Sequence, residues 1–180
     1  VNNLAVVFGG DQTGSGAGAY DTCVYDNTLN SWSQDYPSPH PLGRYAHGLV
    51  YDNARKVCVL FGGEVYPIGR LGDTWLYDTN TNTWQEESPS ASPSPRSVFG
   101  MVYDSLNKVV VLFGGSDQID NKLDDTWIYG NLPSTIDIDP DTLNLKSKAK
   151  FVTCYIELPK GYDVEDIDVG KVAITRIYGK

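Results

Sequence analysis

Acidic residues at alternate positions are the first candidates for chemistry in this chain. Asp137, Asp139 and Asp141 have the Asp-x-Asp-x-Asp spacing of a calcium loop, whose carboxylates and carbonyls converge on one hard cation. No glycine stands at the turn position, however. Ile136 and Ile138 between the acids make the segment read as a strand with polar residues outward. Asp163, Glu165, Asp166 and Asp168 form a second acidic turn, open to the same calcium reading. His40 and His47 are the only histidines, and neither sits near a motif that completes a metal centre. Cys23, Cys58 and Cys154 cannot all pair within one chain, and their spacing fits no zinc pattern. Cys23 and Cys58 lie in apolar strand contexts and read as small buried hydrophobes. Residues 11–19 are glycine-rich, but no Gly-Lys-Ser/Thr follows them, so a flexible loop is expected there rather than a phosphate cradle. No Ser-His-Asp or Cys-His arrangement stands out. The expectation is a chain with no catalytic, cofactor-binding or metal-binding residue, and so no cofactor.

The elements that would have to position any site come in repeats. Phe-Gly-Gly occurs at Phe8, Phe61 and Phe113, which are 53 and 52 residues apart. Asp-Thr at Asp21, Asp73 and Asp125 recurs every 52 residues, as do the pairs Arg44 and Arg96, Trp32 and Trp84, and Tyr51 and Tyr103. A period near 50 built from strand-sized pieces marks a repeat architecture. Within one period, residues 57–61 (Val-Cys-Val-Leu-Phe) are an unbroken apolar run stopped by Gly62-Gly63. Such a run suits a strand covered on both faces. Residues 74–77 and 126–129 read as the next strand, and residues 78–83 as a polar turn leading into an outer strand at Trp84. His47 occupies the position of Phe99 one repeat later, which makes it a packing group. The four Trp and twelve Tyr offer stacking surface for carbohydrate. Trp75 and Trp127 share one repeat position, though, and Trp32 and Trp84 another, so burial between blades is expected, with Trp75 and Trp127 mostly buried. A four-stranded sheet that is apolar on both faces needs copies of itself stacked around an axis.

The set Arg44, His47-Gly48, Tyr51-Asp52, Leu60-Phe61-Gly62-Gly63, Asp73-Thr74-Trp75, Tyr77-Asp78 and Trp84 resembles the kelch repeat, one blade of a β-propeller. The resemblance covers roughly residues 1–131. It implies four strands per blade, usually five to seven blades, and a partner face made by inter-strand loops. Galactose-oxidase-like propellers, which share this fold, hold copper on Tyr and His beside a Cys-Tyr crosslink, and no such constellation can be picked out here. Kelch propellers serve very different functions, so the chemistry must be argued from the site.

The loops at 11–19, 64–72 and 116–123 stand at one position of the repeat yet differ in length and character, which is where binding residues usually sit. The links at 36–41 and 88–95 are Pro-rich and stiff. Net charge is −9. Residues 1–134 hold 15 Asp/Glu against 7 Lys/Arg, a balance that argues against nucleic-acid or anionic-lipid partners. No run of 18 apolar residues exists to span a membrane. The first repeat lacks its Arg-led strand and the third its Trp-bearing strand, so both ends read as cut from a larger ring, and a signal peptide before Val1 is left open. From Ser134 the pattern changes to strands at 135–139, 142–145, 151–158 and 171–177 around a turn at 159–162. This tail is similar to small β-sandwich modules that end secreted or surface proteins of bacteria and archaea.

The sequence thus predicts an all-β chain with ten propeller strands arranged three-four-three. Residues 1–133 are expected to form about two and a half blades of a kelch-type β-propeller, and 134–180 a small β-sandwich-like module. The expected function is non-catalytic binding or scaffolding of a protein or glycan partner, in an extracellular or cell-surface setting. The alternatives are the C-terminal portion of a carbohydrate-active oxidase or epimerase, and a structural surface component.

Overall fold

The computed structural model describes residues 3–11, 14, 16–130, 135–139 and 153–157, the last two stretches by backbone alone. Every regular element among them is a strand. The first sheet holds β1 (Leu4–Phe8), β2 (Thr22–Asp26) and β3 (Ser31–Asp35) in that order. The second has the order β4 (Gly48–Asp52), β5 (Val57–Phe61), β8 (Thr74–Asp78), β9 (Thr83–Glu87). Between β5 and β8 a small hairpin of β6 (Glu64–Val65) and β7 (Gly69–Arg70) stands apart. The third sheet is β10 (Gly100–Asp104), β11 (Val109–Ser116) and β12 (Lys122–Tyr129). All pairings are antiparallel. The ten long strands therefore stand three-four-three, as the repeat predicts.

The turns at one end of the sheets share a single design, and it explains the recurring Tyr-Asp. Asp26, Asp52, Asp78 and Asp104 each close a strand and accept a hydrogen bond from the amide two residues on, at 2.7 to 2.9 Å. Each is an Asx turn, in which a carboxylate stands in for a backbone carbonyl. The turns finish at Asn30, Lys56, Asn82 and Lys108, all left-handed, with φ between 51° and 63°.

Packing follows the repeat where a neighbouring blade is present. Phe8, Cys58, Leu60, Trp75, Tyr77 and Trp84 form the buried core cluster. Trp84 reaches from β9 into the first blade. Its ring lies 5.0 Å from Phe8 and 4.9 Å from Tyr77, and its indole N–H donates to Thr22 Oγ1 at 3.0 Å. Burial pushes the Cys58 thiol up to about 11, as suits a core hydrophobe. Two expectations need correction. Trp127 is only half-buried, because no strand lies beyond β12 in its sheet among the described residues. Trp32 is 59% exposed, whereas its counterpart Trp84 is 2% exposed, since no blade packs on that side of β3 among the described residues.

A separate unit begins at Asn131. In it β13 (Thr135–Asp139) pairs antiparallel with β14 (Thr153–Glu157), with Asp137 opposite Tyr155 and Asp139 opposite Thr153. The Thr-Ile-Asp-Ile-Asp segment is thus extended strand. The expected strands at 142–145 and 171–177, the turn at 159–162, Asp141 and the acidic turn at 163–168 lie outside the described residues.

Candidate functional site

Antiparallel connectivity places the loops 9–21, 62–73 and 116–121 at the end of the sheets opposite the Asx turns, together with the links that enter β4 and β10. The landmark residues build this end. Gly10 N donates to Arg44 O at 2.8 Å, and Arg44 N donates to Ala19 O at 3.2 Å. One repeat later Gly63 N donates to Arg96 O at 2.9 Å, and Arg96 N to Leu71 O at 3.1 Å. The glycine pair thus knots each blade to the next by backbone bonds, and both members are left-handed, with φ of 60° and 92° at Gly62 and Gly63.

Each arginine main chain holds the preceding blade while its side chain holds its own. Arg44 Nη1 and Nη2 donate to the two carboxylate oxygens of Asp73 at 2.5 and 2.7 Å, and Nη1 also to Gly62 O at 3.0 Å. Arg96 repeats this on Asp125 at 2.5 and 2.8 Å and on Gly114 O at 3.0 Å. Trp75 and Trp127 donate their indole N–H to the same carboxylates, at 2.8 and 2.6 Å. Arginine suits this place because its planar fork matches a carboxylate and leaves donors for carbonyls. At Asp73 burial opposes ionisation, but the Arg44 bonds and charge outweigh it and hold the carboxyl below its usual range. Asp125 is more open, and its Arg96 bonds bring it down to about 2. In the first blade Asp21 instead accepts from Gln34 Nε2 at 2.8 Å, and Cys23 Sγ lies 3.5 Å away where the other blades have Trp. The 52-residue spacing shows these landmarks but cannot pair them. Arg44 and Asp73 lie 29 residues apart, and only the folded sheet brings them together.

A second network ties the variable loops to one another, and repeat reasoning misses it because its side chains change type between periods, Glu64 and Arg70 standing where Ser116 and Lys122 stand one repeat later. Arg70, on β7, donates through Nε to Ser97 Oγ at 2.9 Å and through Nη2 to Asp120 at 2.5 Å. It also bonds Asp117 O and lies 3.4 Å from Glu64. Gln118 accepts from Arg70 N at 2.9 Å and donates to Arg70 O at 2.5 Å, pairing with that residue as a neighbouring strand would. Glu64 accepts from Ser97 Oγ at 3.0 Å and from the Tyr45 phenol, whose pKa rises chiefly through that bond. On the other side Tyr66 N donates to Gly16 O at 2.9 Å. The three loops are therefore one connected surface. Its tips are apolar: Tyr66, Ile68 and Ile119 are 74%, 61% and 77% exposed.

The remaining sequence candidates fall elsewhere. Gly14 N and Gly16 N, the amides that would cradle a phosphate, donate to the Asp11 carboxylate at 2.9 and 3.3 Å. His47 packs edge-on against Phe8 at 6.0 Å and 72°, just as Phe99 packs against Phe61 at 5.8 Å and 63°. Burial, with Arg44 nearby, lowers its pKa to about 4. His40 stacks on Tyr20 at 5.2 Å and contacts the Pro41 carbonyl, as part of the stiff link. Among the described residues no group of three His, Cys, Asp or Glu gathers, and no helix is long and apolar enough to cross a membrane.

This geometry defines an all-β repeat protein of the propeller class, with its variable chemistry on one loop face. A family model described as the KLHDC2/KLHL20/DRC7 Kelch-repeats domain matches residues 1–136, and the chain belongs to the kelch-repeat family. It is similar to an F-box/kelch-repeat protein of Arabidopsis thaliana, with 36% identity over 104 residues, 56% of this chain and 21% of that protein. It is also similar to dynein regulatory complex subunit 7 of Chlamydomonas reinhardtii, with 28% identity over 117 residues, 64% of this chain and 10% of that one. The chain thus spans about a fifth and a tenth of the length of these relatives. They correct the expected extracellular or cell-surface location, because F-box and dynein-regulatory proteins are intracellular rather than secreted.

Proposed function

We propose that this chain is a protein-recognition module, which binds without transforming its partner and uses the face made by loops 9–21, 62–73 and 116–121. The observation that carries this reading is the connected loop surface, in which Arg70 and Gln118 fix two loops together while Tyr66, Ile68 and Ile119 point outward. Apolar side chains held on a rigid frame lose little entropy on binding and gain by leaving water. The chemistry of the face favours a protein over a glycan. Its tips are two isoleucines and one tyrosine, while the indoles of Trp75 and Trp84, which would stack on a sugar, are buried between strands. The relatives support the same class, one being named as a subunit of the dynein regulatory complex. We further read residues 1–133 as blades and 134–180 as a separate small β-module, supported by the compact unit starting at Asn131 and by the β13–β14 hairpin.

A photo-crosslinking residue at position 119 tests the reading. It is expected to capture a protein from an extract of the native cells. The same residue at Leu106, equally exposed on the Asx-turn end, is expected to capture none. Equal capture at the two positions, or capture at Leu106 alone, would place recognition elsewhere.

A further inference from the structure

Resting on that recognition face, we infer that its partner presents a basic segment with aliphatic side chains, a lysine- or arginine-rich stretch of another protein. The charge of the face is the reason. Loops 9–21 and 62–73, with the third loop and the strand ends that flank it (residues 114–125), carry eight carboxylates against Arg70 and Lys122, and two of those carboxylates, Asp73 and Asp125, are matched by Arg44 and Arg96. The balance is −4, and β3 and β9 finish on the same side in Asp35 and Glu87.

Of the two cations of this face Arg70 is turned inward, while Lys122 is exposed but holds its ammonium on a neighbouring hydroxyl. Arg70 is engaged by Glu64, Ser97, Asp117 and Asp120, and its side chain is 13% exposed. Lys122 Nζ donates to Ser116 Oγ at 2.7 Å, and Ser116 is buried. Asp120, by contrast, remains 81% exposed even while paired, and Asp124 is exposed on β12. An approaching protein therefore meets negative charge around apolar tips. Ile119 stands between Asp117 and Asp120 in the chain. Ile68 adjoins Gly69, where any side chain would strike Gln118, so the two isoleucines sit on adjoining pieces of one surface. A segment alternating basic and aliphatic residues satisfies both features. An acidic one is repelled, and a purely basic one leaves the isoleucines in water.

The test uses the 180-residue chain and three fluorescein-labelled peptides that alternate Lys with Leu, Glu with Leu, and Lys with Ser, followed by fluorescence anisotropy. The Lys/Leu peptide is expected to bind at least about tenfold more tightly than either other peptide. Raising salt from about 0.05 M to about 0.3 M should weaken it severalfold. The exposed double variant Ile68→Ser, Ile119→Ser keeps every charge and should weaken it about tenfold, and Asp124→Lys should weaken it without touching an apolar group. If the Glu/Leu peptide bound as tightly as the Lys/Leu peptide and lost its binding in the double variant, the basic partner would be overturned while the recognition face stood. Undiminished Lys/Leu binding in the double variant would remove the face and the inference together. Absence of Lys/Leu binding overturns the inference alone.

Discussion

Residue 47 shows how one side chain can be chemistry by type and packing by position. A histidine takes the place that phenylalanine has in the next blade, with the same edge-on contact to the Phe of Phe-Gly-Gly. Its Nδ1 is buried with no hydrogen-bond partner among the described residues. The cost of this arrangement depends on pH. With a folded pKa of about 4 against an ordinary value near 6.5, the unfolded chain takes up the proton first as pH falls. The stability tied to His47 is complete above about pH 6.5, is lost progressively toward pH 4, and falls no further below it. The lost stability amounts to about 3 kcal/mol. His47→Phe, which copies the next blade, is expected to flatten that part of the stability curve in urea unfolding between pH 7 and 4.5. An unchanged slope would assign the pH dependence to other groups.

At the scale of the element, the four Asx turns form a natural comparison series. All four end in a left-handed residue, but Asn holds that place in two of them and Lys56 and Lys108 in the others. A left-handed backbone crowds the Cβ of an ordinary residue against its own carbonyl, at roughly 1–2 kcal/mol, and Asn tolerates it better. Lys108 is exposed, so Lys108→Asn is expected to stabilise the chain by about 0.5–1 kcal/mol. The gain should appear as a higher urea midpoint with an unchanged slope. A loss would mean that the Lys108 side chain makes a contact of its own. At the opposite end the elements meet too closely for any side chain. A Cβ on Gly43 would lie 2.2 Å from Gly18 O, and one on Gly18 would lie 2.2 Å from Arg44 N. That crossing brings the first glycine-rich loop against the link entering β4, and it accounts for glycine at both places.

Across the whole molecule, the same residue type at the same repeat position carries different weight according to its neighbours. Trp84 fills the joint between the first two blades and bonds Thr22 across it. Trp32 touches Tyr25 of its own sheet, at 5.1 Å, and is otherwise largely open to solvent. Trp84→Ala is expected to cost about 3–5 kcal/mol and Trp32→Ala less than about 1 kcal/mol, read from paired denaturation curves. Equal costs would show that the outer face of the first sheet is covered. The exposed Val102, Phe113 and Ile128 on the third sheet describe a second open face. β13 (Thr135–Asp139) begins and ends 52 residues after β9 (Thr83–Glu87), at the period of an outer strand, and it pairs with β14.

The sequence by itself determined the blade. Apolar runs ending in Gly-Gly, Tyr-Asp before each turn and Asp-Thr before each third strand are local requirements of strands, left-handed glycines and Asx turns, and local requirements leave a periodic mark. It also singled out the variable loops, on which the proposed recognition rests. What it could not show was pairing across distance. Arg44 with Asp73 and Arg96 with Asp125 are identical landmarks in each period, and their partnership exists only once the sheet brings residues 29 apart in the chain together. The Arg70 clasp is further from legible still. Arg70, Gln118 and Asp120 belong to loops of different blades and differ in type from Lys122, Tyr66 and Ile68 at the equivalent places, and only their juxtaposition at one end of the sheets makes a surface of them. Burial was decided by tertiary structure as well. Trp32 and Trp84, or Trp75 and Trp127, are equivalent along the chain, and they differ because burying an indole requires a sheet or a further strand to cover it.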